Sequence, residues 1–152
     1  GLELYGCYTR EEVFTLVGRQ TAEVKMQGTA SGAFNLPEHN AVLLFVTLNK
    51  SEKDFSPSTQ YNDYLINDEY FHWQSKNTDS HYNSGGRKYI EQPKTGIKII
   101  LFVREEKKDG FGNTSPFHCF GLVDYVSSHD DFPMNVKWKL QKPAMAQYLK
   151  AI

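Results

Sequence analysis

The chain has 152 residues, 39% hydrophobic and 23% charged, a size and balance that suit one domain with its own core and exclude a disordered tail. A formal net charge of −1 argues against a protein that holds nucleic acid mainly by counterion release, but leaves room for a local basic patch. The aromatic share, 14%, leans towards strands and towards sites that stack flat ligands.

Thr9-Arg-Glu-Glu12 is a capping-box pattern. Val13, Phe14, Leu16 and Val17 follow it and Gly18 is a natural stop, which predicts a helix of about two turns. Residues 19–40, with Gly28, Gly32 and Pro37, read as a loop holding one short strand. Ala41 to Leu48 is a continuous apolar run of the length of a strand buried on both faces. Lys50 to Gln60 is a polar turn region around Pro57. YNDYLI (Tyr61 to Ile66) and EYFHWQS (Glu69 to Ser75) then read as two short strands about Asn67-Asp68. Asn77 to Lys88 is a Gly/Ser/Asn-rich loop ending in two cations.

GIKIILFVRE is the second strong strand, with Gly96 at its mouth. KKDGFGNTSP, carrying Asp109-Gly110 and Gly112-Asn113, is a hairpin connection. FHCFGLVDYVSS is the third strong strand, and Gly121 inside it marks a bulge or a close backbone approach. SHDDFP is a turn, NVKWKL alternates as a half-buried strand does, and PAMAQYLKAI predicts a closing helix with Pro143 in its first turn. With no repeat and no linker, residues 1–152 form one domain. Its class is α+β, mainly antiparallel β, a curved sheet or small barrel with flanking helices.

Catalytic signatures are missing: the chain has no P-loop, GxSxG, HExxH or HxE…PCxxC pattern, and none of its five histidines pairs at metal-ligand spacing. No catalytic residue, metal or cofactor is therefore expected. Cys7 and Cys119 lie far apart without a CxxC and read as reduced, buried thiols of a cytoplasmic protein. No apolar run approaches the ~20 residues of a membrane span and no secretory signal stands at the start. The opening GLELYG, without an initiator Met, reads as a fragment of a longer polypeptide.

The densest chemistry lies in Tyr61 to Thr78. On a strand Phe71, Trp73 and Ser75 share one face and His72 and Gln74 the other. Phe71 and Trp73 form either core or a pocket wall. Asp63 shares a face with Tyr61, and a carboxylate beside a ring reads an exocyclic amine such as cytosine N4, or else makes a local backbone bond. Tyr61, Asp63, Tyr64, Phe71, Trp73 and Gln74 are the candidate base pocket. SGGRK offers glycine N–H groups and two cations to phosphate, or is a solvated surface loop. Lys76, Asn77, Ser84, Arg87 and Lys88 are the candidate backbone contacts.

LYGCYTREEV, FVTLNKSEKDFSPSTQYNDYLI, FHWQSKNT, ILFVREEKKDG, FGLVDYVS and PMNVKWKL together resemble the C-terminal domain of unknown function fused to bacterial superfamily-two helicases, often behind a phospholipase-D-type nuclease. The resemblance covers nearly the whole chain in order. It implies the targeting domain of a modification-dependent, type IV restriction enzyme, with an SRA/PUA-like fold that flips a modified cytosine out of duplex DNA. The implied partners are double-stranded DNA bearing that base and the helicase and nuclease domains of the same polypeptide. The rivals are a docking module coupling helicase to nuclease without reading bases, which suits the near-zero charge, and a catalytic domain acting on nucleic acid.

Overall fold

A computed structural model describes residues 2–19, 32–49 and 63–145. The elements run β1 (Cys7–Tyr8), α1 (Arg10–Leu16), β2 (Ala33–Leu36), a 3-10 turn (Pro37–His39), β3 (Ala41–Asn49), β4 (Tyr64–Leu65), β5 (Tyr70–Gln74), α2 (Ser84–Ile90), α3 (Gln92–Thr95), β6 (Lys98–Glu106), β7 (Phe117–His129) and β8 (Asn135–Leu140). The eight strands form one sheet in the order β2-β3-β6-β7-β8-β5-β4, with β1 beside the start of β7. Every pair is antiparallel except β3 with β6. The fold is thus α+β and mainly antiparallel. Among the described residues β2 and β4 end the order unpaired with each other, so the sheet is open. No helix among them is long and apolar enough to cross a membrane.

The apolar run of β3 exists because the strand is covered on both sides. Val42, Leu44 and Val46 join Ile99, Leu101 and Val103 of β6 in one core, with Trp73, Trp138 and Tyr89 of α2. Ala41, Leu43 and Phe45 join Phe102, Phe117 and the Val13 and Phe14 of α1 in a second core. Phe45 stacks on Phe102 at 5.1 Å between ring centroids. β8 has one covered face, so it alternates: Val136, Trp138 and Leu140 are buried while Asn135, Lys137 and Lys139 are not.

Local signals are met in detail. Thr9 Oγ1 accepts the Glu12 N–H and Glu12 Oε1 accepts the Thr9 N–H, both at 3.1 Å. Gly121 sits at φ 81°, and the β6–β7 register slips there, from Leu101 opposite Gly121 to Phe102 opposite Cys119. In the β6–β7 turn Asp109 Oδ1 accepts the N–H groups of Phe111 and Asn113.

Three expectations are corrected. The loop forecast over Asn77 to Lys88 ends early, because Asn83 caps a helix: its Oδ1 accepts the Gly86 N–H at 3.1 Å, and Ser84 to Lys88 are the first five residues of α2. The glycines there serve packing, since a Cβ on Gly86 would lie 2.0 Å from Ser80 O and 2.4 Å from Met134 Sδ. Cys119 is buried but Cys7 is exposed. Pro143 to Met145 are not helical, and the rest of the forecast closing helix lies outside the described residues.

Gly86→Ala sets two effects against each other. Alanine favours a helix by up to ~1 kcal/mol, but overpacking costs ~1–3 kcal/mol and here one neighbour is main chain. The urea midpoint is expected to fall; an unchanged or raised midpoint would show that α2 can shift away from Ser80.

Candidate nucleic-acid interface

The face of β4, β5 and β8 turned away from Trp73 and Trp138 collects the exposed chemistry. Its register places Tyr64 opposite His72, His72 opposite Lys137, Tyr70 opposite Lys139 and Gln74 opposite Asn135. Directly opposed residues point to the same side of a sheet, so these side chains form rows across the strands. Tyr64 stacks on His72 with centroids 4.7 Å apart and planes 19° from parallel. Lys137 Nζ lies 4.6 Å from the centre of the Tyr70 ring. Gln74 Nε2 donates to Asn135 Oδ1, and Asn135 Nδ2 donates to Asp130 Oδ2, each at 3.0 Å. Ring faces, amide edges and ammonium groups thus sit side by side, a combination that stacks bases, reads their edges and neutralises phosphate.

The predicted pocket is divided by strand alternation. Tyr64 and Gln74 lie on this outer face. Phe71 and Trp73 do not: at 0% and 4% exposure they are core, and Trp73 packs edge-on against Tyr89 at 5.0 Å, so neither forms a pocket wall. Asp63 is buried, and its Oδ1 accepts the Gln74 N–H at 2.8 Å, a main-chain bond as the alternative had it, but to a donor eleven residues on rather than within its own turn. Tyr61 lies outside the described residues.

The predicted backbone contacts also separate. Lys76 and Asn77 are exposed just beyond β5, at the Gln74–Asn135 end of the face. Ser84, Arg87 and Lys88 sit on α2, whose Tyr89 packs on the opposite side of the sheet. There Arg87 pairs with Glu91 at 3.2 Å, and Lys88 donates to Asn35 Oδ1 at 2.9 Å, its pKa lowered by burial. Sequence reasoning left out Tyr70, Asn135, Lys137 and Lys139. The alternation of NVKWKL already set the last three on one side, but nothing in the sequence sets their register against β5.

Two further clusters stand apart. A cavity of about 320 Å³ is lined by Leu48, Val103, Phe120, Ser115, Arg104 and His118, among others. Arg104 is fixed there by Thr47 Oγ1 at 2.9 Å and Ser115 O at 3.1 Å, and His118 Nδ1 lies 3.3 Å from Cys7 Sγ. None of the predicted site residues lines it. Elsewhere Asp131 Oδ1 lies 2.8 Å from His81 Nδ1, His81 Nε2 lies 2.8 Å from Ser128 Oγ, and that oxygen is 2.7 Å from Tyr125 Oη. The order is that of a nucleophile-activating relay. Yet the His81 and Asp131 side chains are 27% and 31% exposed, and the Ser128 hydroxyl is already engaged by Tyr125. Water weakens such a relay, and the chain's evident effect is to tie two loops together.

A family model described as Domain of unknown function (DUF3427) matches residues 2–151. No curated protein matches the sequence. Among solved structures, the 5-hydroxymethylcytosine-specific restriction enzyme AbaSI superposes with a TM-score of 0.45 at 17% identity, over 78% of this chain and 34% of the enzyme's. The chain therefore spans about a third of that enzyme's length, and a likeness this distant carries no argument about function.

The His81 main-chain N–H, first, and then its ring hold the Asp131 carboxyl below its ordinary pKa. A depressed folded-state pKa contributes stability above the unfolded value, near 4, which is lost as pH falls through the folded one. The gap in thermal midpoint between the parent and Asp131→Ala is expected to be widest near neutrality and to close below about pH 4. A gap independent of pH would mean that Asp131 acts by volume rather than charge.

Proposed function

The chain belongs to the DUF3427 family, and from that premise and the outer face of its sheet we propose a duplex-DNA-binding module that recognises modified cytosine and targets a restriction helicase–nuclease. The carrying observation is the row Tyr64–His72–Lys137, where the exposed Tyr64 ring stacks on the half-buried His72 and adjoins an ammonium group, next to the row Gln74–Asn135 with its amide edges. The helicase and nuclease partners come from the resemblance of the sequence, and the module itself is read as a binder rather than an enzyme.

In this reading Lys137, Lys139 and Lys76 take phosphates, the Tyr64 ring takes a base face and the Gln74–Asn135 pair takes a base edge. Extruding a base costs a few kcal/mol, and stacking returns ~1–3 kcal/mol. A 5-methyl group adds only about 0.8 kcal/mol by burial, so a preference for 5-methylcytosine or 5-hydroxymethylcytosine needs hydrogen-bond rejection of the alternatives as well. The rival is a docking module between helicase and nuclease, favoured by the net charge of −1 and by Phe111, 93% exposed at the tip of the β6–β7 turn.

Fluorescence anisotropy with matched duplexes carrying cytosine, 5-methylcytosine or 5-hydroxymethylcytosine separates the two. We expect tighter binding to a modified duplex. Tyr64→Ala is expected to lose ~1–3 kcal/mol, and the double variant Lys137→Ala/Lys139→Ala to lower the salt slope by ~1 per phosphate contact removed. Equal affinity for all three duplexes would reduce the module to a backbone binder, and no binding would leave the docking reading.

A further inference from the structure

Two loops meet at the Gln74–Asn135 end of the outer face: residues 76–83, which follow β5, and residues 130–134, which join β7 to β8. They are tied by an unusually dense set of bonds. Phe132 N–H donates to Asp79 O at 3.0 Å, and His81 N–H donates to Asp131 Oδ1 at 2.6 Å. The His81 ring spans Asp131 and Ser128. Ser75 N–H donates to Met134 O, and Ser75 Oγ accepts the Met134 N–H, each at 3.0 Å. Asn83 Oδ1 accepts the N–H groups of Ser80 and Gly86. From this rigid base two rings project into solvent, Tyr82 at 87% exposure and Phe132 at 61%.

Phe132 is anomalous twice over. Its φ of 55° is a conformation that L side chains rarely adopt and that glycine or asparagine accepts readily. Its apolar ring is exposed, so packing in the free protein does little to offset that strain. Selection for stability alone favours a small or polar residue here. A partner that covers the ring accounts for both features.

The surroundings point to the class of partner. The loop continues the outer face, because Asn135 of that face donates to Asp130 of the loop. The loop's carboxylates are held by protein donors, Asp131 by His81 and Asp130 by Asn135, while Lys76, at the start of the other loop, is exposed. A flat apolar ring and a phenol on a stiff base, next to ammonium and amide groups, suit the π faces of bases opened at a step of the duplex. We propose that Tyr82 and Phe132 are a base-stacking pair that inserts at a step of the DNA lying on the outer face and unstacks it. The inference rests on the DNA-binding reading above.

The test uses duplexes with 2-aminopurine at successive positions, whose fluorescence rises when the base unstacks, together with anisotropy on the same samples. The proteins are the parent, Tyr82→Ala and Phe132→Asn, where asparagine accepts the backbone conformation. The expected result is a several-fold rise at one or two adjacent positions with the parent, cut by more than half in each variant. The thermal midpoint of Phe132→Asn is expected to equal or exceed the parent's. Binding by the parent with no 2-aminopurine response, or variants that keep the parent's response, would overturn the stacking pair and leave the DNA-binding module standing. A Phe132→Asn midpoint several degrees below the parent's would overturn the strain argument, and with it the proposal. Absence of binding to every duplex would remove the DNA-binding reading and the pair together.

Discussion

The parallel pairing of β3 with β6 is the constraint on which the rest depends. Val42 to Val46 and Ile99 to Val103 lie side by side as two nearly unbroken apolar strands, and such a ribbon is stable only when both faces are covered. Parallel neighbours also cannot be joined by a tight turn. The crossover here carries β4, β5, α2 and α3, so the segment that links the central strands also brings the inner-face cover, Tyr89, and the strands that extend the sheet. α1 covers the other face at β3, β6 and the start of β7. No described helix remains for the outer side of β8, β5 and β4, and that side is where polar, aromatic and cationic groups gather.

Much of this was legible in the sequence because it is local. The unbroken apolar run of β3, the alternation of β8, the Thr9–Glu12 box and the Gly121 bulge each follow from a few neighbouring residues. What was not legible depends on partners far along the chain. Phe71 and Trp73 had two readings on pattern alone, and Trp138 and Tyr89, 65 and 16 places beyond Trp73, decide for the core. Asp63 looked outward until Gln74 supplied a main-chain donor. SGGRK looked like a loop because glycine usually marks one, whereas here it lets α2 lie against Ser80 and Asp79. Lys137 beside His72 is a matter of register, which no local pattern encodes.

A near-neutral total hides an uneven surface. Lys137, Lys139 and Lys76 lie on or beside the outer face, with Asp130 at its edge, while Glu105, Glu106 and Asp109 line the cavity at the far end of β6 together with Arg104 and Lys108. Charges separated by more than a Debye length, about 8 Å in physiological salt, act nearly independently. A polyanion approaching the outer face would therefore meet its local lysines rather than the average of the chain.

β1 has a consequence for how the domain is made. Cys7 and Tyr8 pair with His118 and Phe117, and the Cys7–His118 contact spans 111 positions. During synthesis the first strand leaves the ribosome with no partner and stays without one until β7 has emerged. The capping box of α1 needs only its own residues, but a seven-residue helix is marginal alone, and its apolar face has to wait for Phe45, Phe102 and Phe117. Pairings this distant fold slowly. The segment that holds β1 and α1 therefore stays without its partners while the rest of the domain is made, and its apolar side chains are exposed for that interval.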